Sequence, residues 1–167
     1  ADTSHQGPYP LLAVGGAAMH RGNGTVARSM AERAIAEMQR NGANVTEPSV
    51  LRAAGLLQSG EVEAALATIE PVVETAANQP FALAVASLVH AAAGEPKTAV
   101  HHADAVAHLP GATYLDKVFA YVAAAGAFAQ LDESVQAELS AEAAVACAMG
   151  VGDVVVTPTP YSKRLIE

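Results

Sequence analysis

Along most of the chain, apolar residues recur at intervals of three and four, the spacing that places side chains on one face of an α-helix. Val62, Leu66, Ile69 and Val73 form one such stripe. Val85, Leu88 and Val89, then Val100, Ala103 and Val106, continue it. Breakers punctuate the pattern: Gly22-Asn23-Gly24, Asn41-Gly42-Ala43-Asn44, Ser59-Gly60-Glu61, Asn78-Gln79-Pro80, Gly94-Glu95-Pro96, Leu109-Pro110-Gly111 and Leu131-Asp132-Glu133. Thr46-Glu47-Pro48 reads as a helix start with Thr as cap and Pro in the first turn, and Glu95-Pro96 fits a start as well. Together these marks predict eight helices, over 10–21, 25–41, 47–58, 61–77, 80–93, 96–108, 113–130 and 134–148. A change of character after 150 predicts an extended C-terminal tail over 151–167. There, Val154-Val155-Val156 and the alternating Pro158 and Pro160 are unsuited to a helix interior. Packing of Val154 to Val156 on the last hairpin or on a neighbouring chain, helped by Tyr161 and Leu165-Ile166, is the expected way to hold it. A polar leader over 1–9, partly disordered, precedes a helical domain over 10–150.

Composition supports the helical reading. Ala supplies 39 of 167 residues, while aromatics are 4% and Trp is absent, which argues against a β-sandwich core. The length suits one domain. A net charge of -8 argues against a grip on nucleic-acid phosphates. One cysteine, Cys147, excludes an internal disulfide framework and an all-cysteine zinc site. Set among Ala144, Val145, Ala146 and Ala148 with no basic neighbour, it reads as a buried, inert thiol. Met19, Met30, Met38 and Met149 read as core filler. The most apolar run, Phe81 to Ala93, is interrupted by Ser87 and His90 and is too short to span a bilayer. The start carries no signal-peptide pattern, so a cytoplasmic protein is expected. The absence of an initiator Met at Ala1 fits a piece of a larger protein. Two glycosylation-like triplets, Asn23-Gly24-Thr25 and Asn44-Val45-Thr46, are expected to serve turns and caps.

Gly60 and Gly94 stand 34 residues apart, each closing an apolar segment and followed by an acid. Ala65 and Ala99 follow them by five. The same step back reaches Ala31 and Ile35, and a step forward with a slip of one reaches Ser134. Such a period is that of a helical-hairpin array, in which each hairpin buries its apolar face on the next.

On these residues the chain resembles the tetratricopeptide (TPR) family. The unit Pro80 to Thr113 carries the likeness through Leu83, Ala86, Ser87, His90, Gly94, Ala99, Ala103 and Pro110. The unit before it, Thr46 to Gln79, does so through Ala53, Leu56, Gly60, Ala65, Ile69 and Val72. The flanking units depart from the pattern; the last has Ala129 where the turn glycine stands. The resemblance implies an all-α fold, a right-handed α-α superhelix of about four stacked TPR-like hairpins. The segment Leu109 to Lys117, with the alanine-rich composition, is also similar to C-terminal regions of actinobacterial multidomain regulators. There a cyclase or DNA-binding module and an ATPase module precede helical repeats, and that likeness implies a bacterial regulatory part without catalytic residues.

The family's arrangement would put the first helix of each hairpin on a concave surface. Its candidate groove residues here are Val50, Ala54, Leu57, Phe81, Ala84, Leu88, Phe119 and Ala123, with Gln58 and Asp116 alongside. That surface lacks the Lys, Arg and Asn of carboxylate-clamping relatives, so an apolar helix or a second copy suits it better. Closure of the groove into plain core is the competing reading. Five arginines, Arg21, Arg28, Arg33, Arg40 and Arg52, face four acids in 1–60, whereas 61–167 hold thirteen acids and four bases. The gradient reads as docking polarity or as solvated helix faces, with Glu37 near Arg33 or Arg40 for one-turn pairs.

Chemistry is sparse. His101, Asp104 and His108 share one helix face, with His90 able to approach, and are the candidate metal ligands. A polar outer face of a hairpin's second helix is the favoured reading of them. Gly15-Gly16 and Gly22-Asn23-Gly24 lack the Gly-Lys-Ser/Thr ending of a phosphate loop, and Gly15-Gly16 fit close helix contact. No catalytic residues, no cofactor and no metal site are expected. The function these features predict is a non-enzymatic protein-protein interaction or regulatory scaffold. Its partner is expected to be a protein or peptide, or another domain of a parent protein, not nucleic acid or membrane. The alternatives are a helical homo-oligomerisation module forming a homodimer, or an all-helical ligand- or metal-binding protein.

Overall fold

Eight α-helices form in a computed structural model that describes residues 7–150. They are α1 (Pro8–His20), α2 (Gly24–Arg40), α3 (Thr46–Gln58), α4 (Val62–Thr75), α5 (Pro80–Ala92), α6 (Pro96–His108), α7 (Tyr114–Gln130) and α8 (Ser134–Ala148). No strand occurs among the described residues, so the fold is all-α. The expected leader lies partly outside them, and α1 begins at Pro8, earlier than the pattern predicts, because prolines are tolerated in a first turn. The expected tail, 151–167, lies wholly outside them.

The chain divides into two units, Ala1–Ala76 and Ala77–Glu167. In the first, α1, α2, α3 and α4 pack in succession and α1 also touches α3; in the second, α5, α6, α7 and α8 do the same and α5 touches α7. Each unit is therefore a pair of helical hairpins whose first helices lie side by side.

All four hairpins turn in the same way. Gly22, Gly60 and Gly94 adopt φ of +70, +79 and +77°, and Asp132, at +61°, takes the fourth place. The following N–H reaches back to the carbonyl five residues earlier: Asn23 to Ala18 (2.9 Å), Glu61 to Leu56 (3.0 Å), Glu95 to His90 (2.9 Å) and Glu133 to Phe128 (2.9 Å). This is a Schellman closure, which satisfies the orphan carbonyls of a helix end and requires a left-handed residue. The turn residues stand 38, 34 and 38 positions apart, so the 34-residue step seen in the sequence is one interval of an alternating pair. The counterparts of Ala65 and Ala99 are consequently Ala27 and Ala137, not Ala31 and Ser134. At each of the four, the N–H bonds the carbonyl of the helix's N-cap residue.

Close packing explains the small residues. A methyl group at Gly15 would sit 2.7 Å from Leu51 Cδ2, which fits the expected helix contact; Gly16 has open space. At the α2–α3 crossing the backbones themselves meet. A Cβ on Gly24 would be 2.6 Å from the Gly55 carbonyl oxygen, and one on Gly55 would be 2.7 Å from the Arg28 amide nitrogen. In the second unit alanines take this part: Ala91, Ala99, Ala123 and Ala127 form one buried cluster.

Of the glycosylation-like asparagines, Asn23 caps α2 and Asn44 closes a turn just before α3. The Asn23 side chain accepts from the Val26 N–H (3.2 Å), and that of Asn44 from the Thr46 N–H (2.7 Å). Thr46 is thus the first residue of α3, contrary to its expected role; the N-cap position falls to Val45, which has no side-chain cap bond. α7 starts with a full capping box, in which Thr113 and Asp116 bond each other's backbone N–H at 2.8 and 3.2 Å.

Candidate functional site

The eight groove residues fall into two classes of burial. Val50 and Ala54 on α3, Ala84 on α5 and Ala123 on α7 are buried in the core. Leu57, Phe81, Leu88 and Phe119 are half-buried. In the second unit, α5 and α7 touch, and Leu88 packs on the alanine cluster that includes Ala123. The part of the proposed surface that another molecule can reach there is made by Phe81, Leu88 and Phe119, with the alanines beneath Leu88.

The two polar neighbours of the groove are already engaged. Gln58 donates its side-chain amide to the Met19 carbonyl at 2.8 Å, tying the end of α3 to the end of α1. Gln130 does the same for α7 and α5, donating to the Ala91 carbonyl at 2.9 Å. Asp116 is buried, and one oxygen accepts from both the Thr113 N–H and its hydroxyl, at 2.8 and 2.7 Å. A carboxylate so occupied serves the helix start.

The histidines form a row rather than a ligand set. His90 is buried and its Nδ1 lies 2.8 Å from Glu95 Oε2. The His102 ring is 5.2 Å from that of His90, and the His101 ring 5.6 Å from that of His102. Adjacent positions on a helix do not share a face, yet these rings are long enough to lean together. Burial first, and then proximity to His90 and His101, pushes the His102 imidazolium down from 6.5 to about 4. Asp104 and His108 pair apart from this row. His108 Nδ1 donates to the Asp104 carbonyl at 2.9 Å and lies 3.7 Å from its Oδ1, too far for a hydrogen bond. Among the described residues no three His, Cys, Asp or Glu side chains are grouped to hold a metal ion, and His101, Asp104 and His108 are divided between the two arrangements.

Cys147 is buried with Tyr121, Ala143 and Ala144. Burial, followed by Cys147 and Asp104, raises the Tyr121 phenol above its usual range.

The charged groups form one one-turn pair, within α2 but at Glu32 rather than Glu37, and further pairs between elements. Arg28 Nε contacts Glu32 Oε1 at 2.9 Å, and its Nη1 contacts Glu61 Oε1 at 2.7 Å. Arg52 Nε stands 3.5 Å from the same Glu32 oxygen. The hydrogen bond to Glu32, aided by Glu61, raises the already high Arg28 pKa. The basic stretch and the first acidic helix thus belong to one unit, and the charge step at residue 60 falls inside the α3–α4 hairpin.

One feature escaped the sequence reading. α8 buries Ser140, Ala143, Ala144 and Cys147, yet also exposes Val135, Leu139, Val145 and Met149, at 67, 40, 57 and 71%. Met149 is therefore surface, not core filler; Met19 and Met38 are buried as expected. Among the described residues, no helix is long and apolar enough to cross a membrane. No protein-family model, curated protein or solved structure matches this chain.

Proposed function

We propose that the chain is a non-enzymatic interaction module of the cytoplasm, a TPR-like right-handed stack of about four hairpins serving a larger regulator. It takes an apolar helical segment of a protein partner onto the first helices of its hairpins. The identical Schellman turns and the contact of first helices within each unit favour the repeat reading. The observation that carries the binding reading is the half-buried set Phe81, Leu88 and Phe119 on α5 and α7. Large apolar side chains left part-exposed above small ones suit an amphipathic helix laid in by its hydrophobic face.

Selection of a displayed library of amphipathic helical peptides on the intact chain tests this. Peptides with apolar residues at i, i+3, i+4 and i+7 are expected to be enriched, and to be lost on Phe81→Glu/Leu88→Glu with helicity unchanged. Equal recovery on the variant removes the groove. Light scattering across concentration on the same preparations separates peptide capture from a homodimer, since a self-associating groove would grow in mass and exclude peptide.

A further inference from the structure

α7 leaves open a face that α3 buries. Phe119, Val122, Gly126 and Ala129 stand three, four and three residues apart, which places them on one side of the helix. Val122 is 50% exposed, Gly126 and Ala129 are exposed, and Phe119 is half-buried. A step of 72 residues back carries Val122 onto Val50 and Gly126 onto Ala54, and both of these are buried. Gly126 also lacks the reasons that hold other glycines in place. It is not among the left-handed turn residues, and a Cβ built on it would meet nothing within 4 Å. A glycine in mid-helix weakens the helix, and the notch it leaves here receives no side chain from the described residues.

The face matches itself. Its spacing reads the same in both directions along the helix, but its sizes do not: two large side chains come first and two small ones last. Laid antiparallel on a second copy about a two-fold axis, Val122 falls on Gly126 of the other copy and Phe119 on its Ala129, each pair occurring twice. Large thus meets small throughout, and Val122 fills the notch that is empty in one copy alone. Charge agrees. Between Lys117 and Asp132 the chain carries no Asp, Glu, Lys, Arg or His, so no like charges oppose each other across the axis. On α3 the place of Phe119 is taken by Glu47, and the same pairing there would cover a carboxylate.

We propose that two copies of this chain pair through this face of α7, antiparallel, with Val122 of each seated in the Gly126 notch of the other. One helix face buries less than the roughly 800 Å² per partner of a standard interface, so the pair is reversible, with a Kd on the order of 100 µM. The pairing does not rest on the groove of α5 and α7. Phe119 lies at the edge of both surfaces, but Phe81 and Leu88 take no part in it.

Sedimentation equilibrium of the full chain from about 10 µM to about 1 mM tests this, with circular dichroism as the check on helicity. The average mass should rise towards that of two copies and level there. Gly126→Val, which fills the notch, should weaken pairing about tenfold or more, and Val122→Ser, which removes the knob, by a similar factor. The exchange Val122→Gly/Gly126→Val reverses the two sides of the match and should recover most of the native pairing. The groove variant Phe81→Glu/Leu88→Glu should pair as the native chain does. A merely sticky apolar face behaves in the opposite way, because Gly126→Val enlarges it and strengthens association. That result overturns the proposal, as does a native chain that stays monomeric throughout or a mass that climbs past two copies. Two further results overturn it: a folded exchange variant that does not pair, and loss of pairing in Phe81→Glu/Leu88→Glu, which would put the second copy in the groove.

Discussion

The two units make the same pair of hairpins from different materials. A shift of 72 residues carries Gly22 onto Gly94, Met19 onto Ala91 and Gln58 onto Gln130, and so carries one glutamine-to-carbonyl tie onto the other. α1 and α2 start at Pro8 and Gly24, and α5 and α6 start 72 residues later, at Pro80 and Pro96. At the crossing of second and third helices, however, Gly24 and Gly55 are replaced by Pro96 and Ala127. Both units bury large aliphatic side chains, Leu51, Leu56 and Ile69 in the first and Leu83, Val89 and Val106 in the second. The difference is that the first brings backbones into contact at Gly24 and Gly55, whereas the second packs Ala99, Ala123 and Ala127. The turn and the end tie thus recur in both units, while side-chain size at the crossing differs between them.

That contrast can be broken most severely at the glycine crossing. Gly55→Ala should cost about 2–3 kcal/mol or more, because the added methyl meets backbone atoms that no side-chain rotation can move. Gly126→Ala on α7, with open space around it, should instead gain about 0.5–1 kcal/mol from helix propensity. Urea unfolding of the two variants checks both signs, and similar effects would deny that the units differ. A smaller effect separates the helix starts. Thr113→Ala removes the capping box and should cost about 1 kcal/mol, whereas Thr46→Ala, which loses no side-chain cap bond, should change stability little. Amide exchange in α7 and α3 reports each locally.

A last contrast is in pH dependence and belongs to the second unit, since the place of His102 is held by Met30 in the first. His102 titrates near 4 in the fold against 6.5 when unfolded, so the unfolded chain binds the proton more readily. Its contribution to stability is complete above pH 6.5, declines as pH falls towards 4, and changes no further below. His102→Gln should flatten that part of the urea-midpoint profile and leave the profile above pH 6.5 unchanged.

The eight helices were legible because their breakers are residues with backbone preferences of their own: glycines at +φ, prolines in first turns, asparagines in a cap and a turn. The repeat register was legible only between Gly60 and Gly94. Asp132 performs the left-handed turn without being glycine, and the 38-residue intervals on either side hide Ala27 and Ala137 from any search at a fixed step. The groove was only half legible. Periodicity places Val50 and Ala54 on α3 but says nothing of how deep that helix lies, and both turn out to be core. The Arg28 to Glu61 pair was out of reach for the same reason, joining residues 33 apart through the α2–α3 crossing. The outer face of α8 shows the reverse error. A helix apolar on both sides has no single stripe, so periodicity passes over it.

The lone thiol has a practical consequence. Cys147, on α8, is 7% exposed and packs with Tyr121 of α7. A chromogenic disulfide reagent can reach its sulfur only when the final hairpin parts. Labelling kinetics in plain buffer therefore clock the breathing of that one hairpin, with no engineered tag and no second cysteine to confuse the signal.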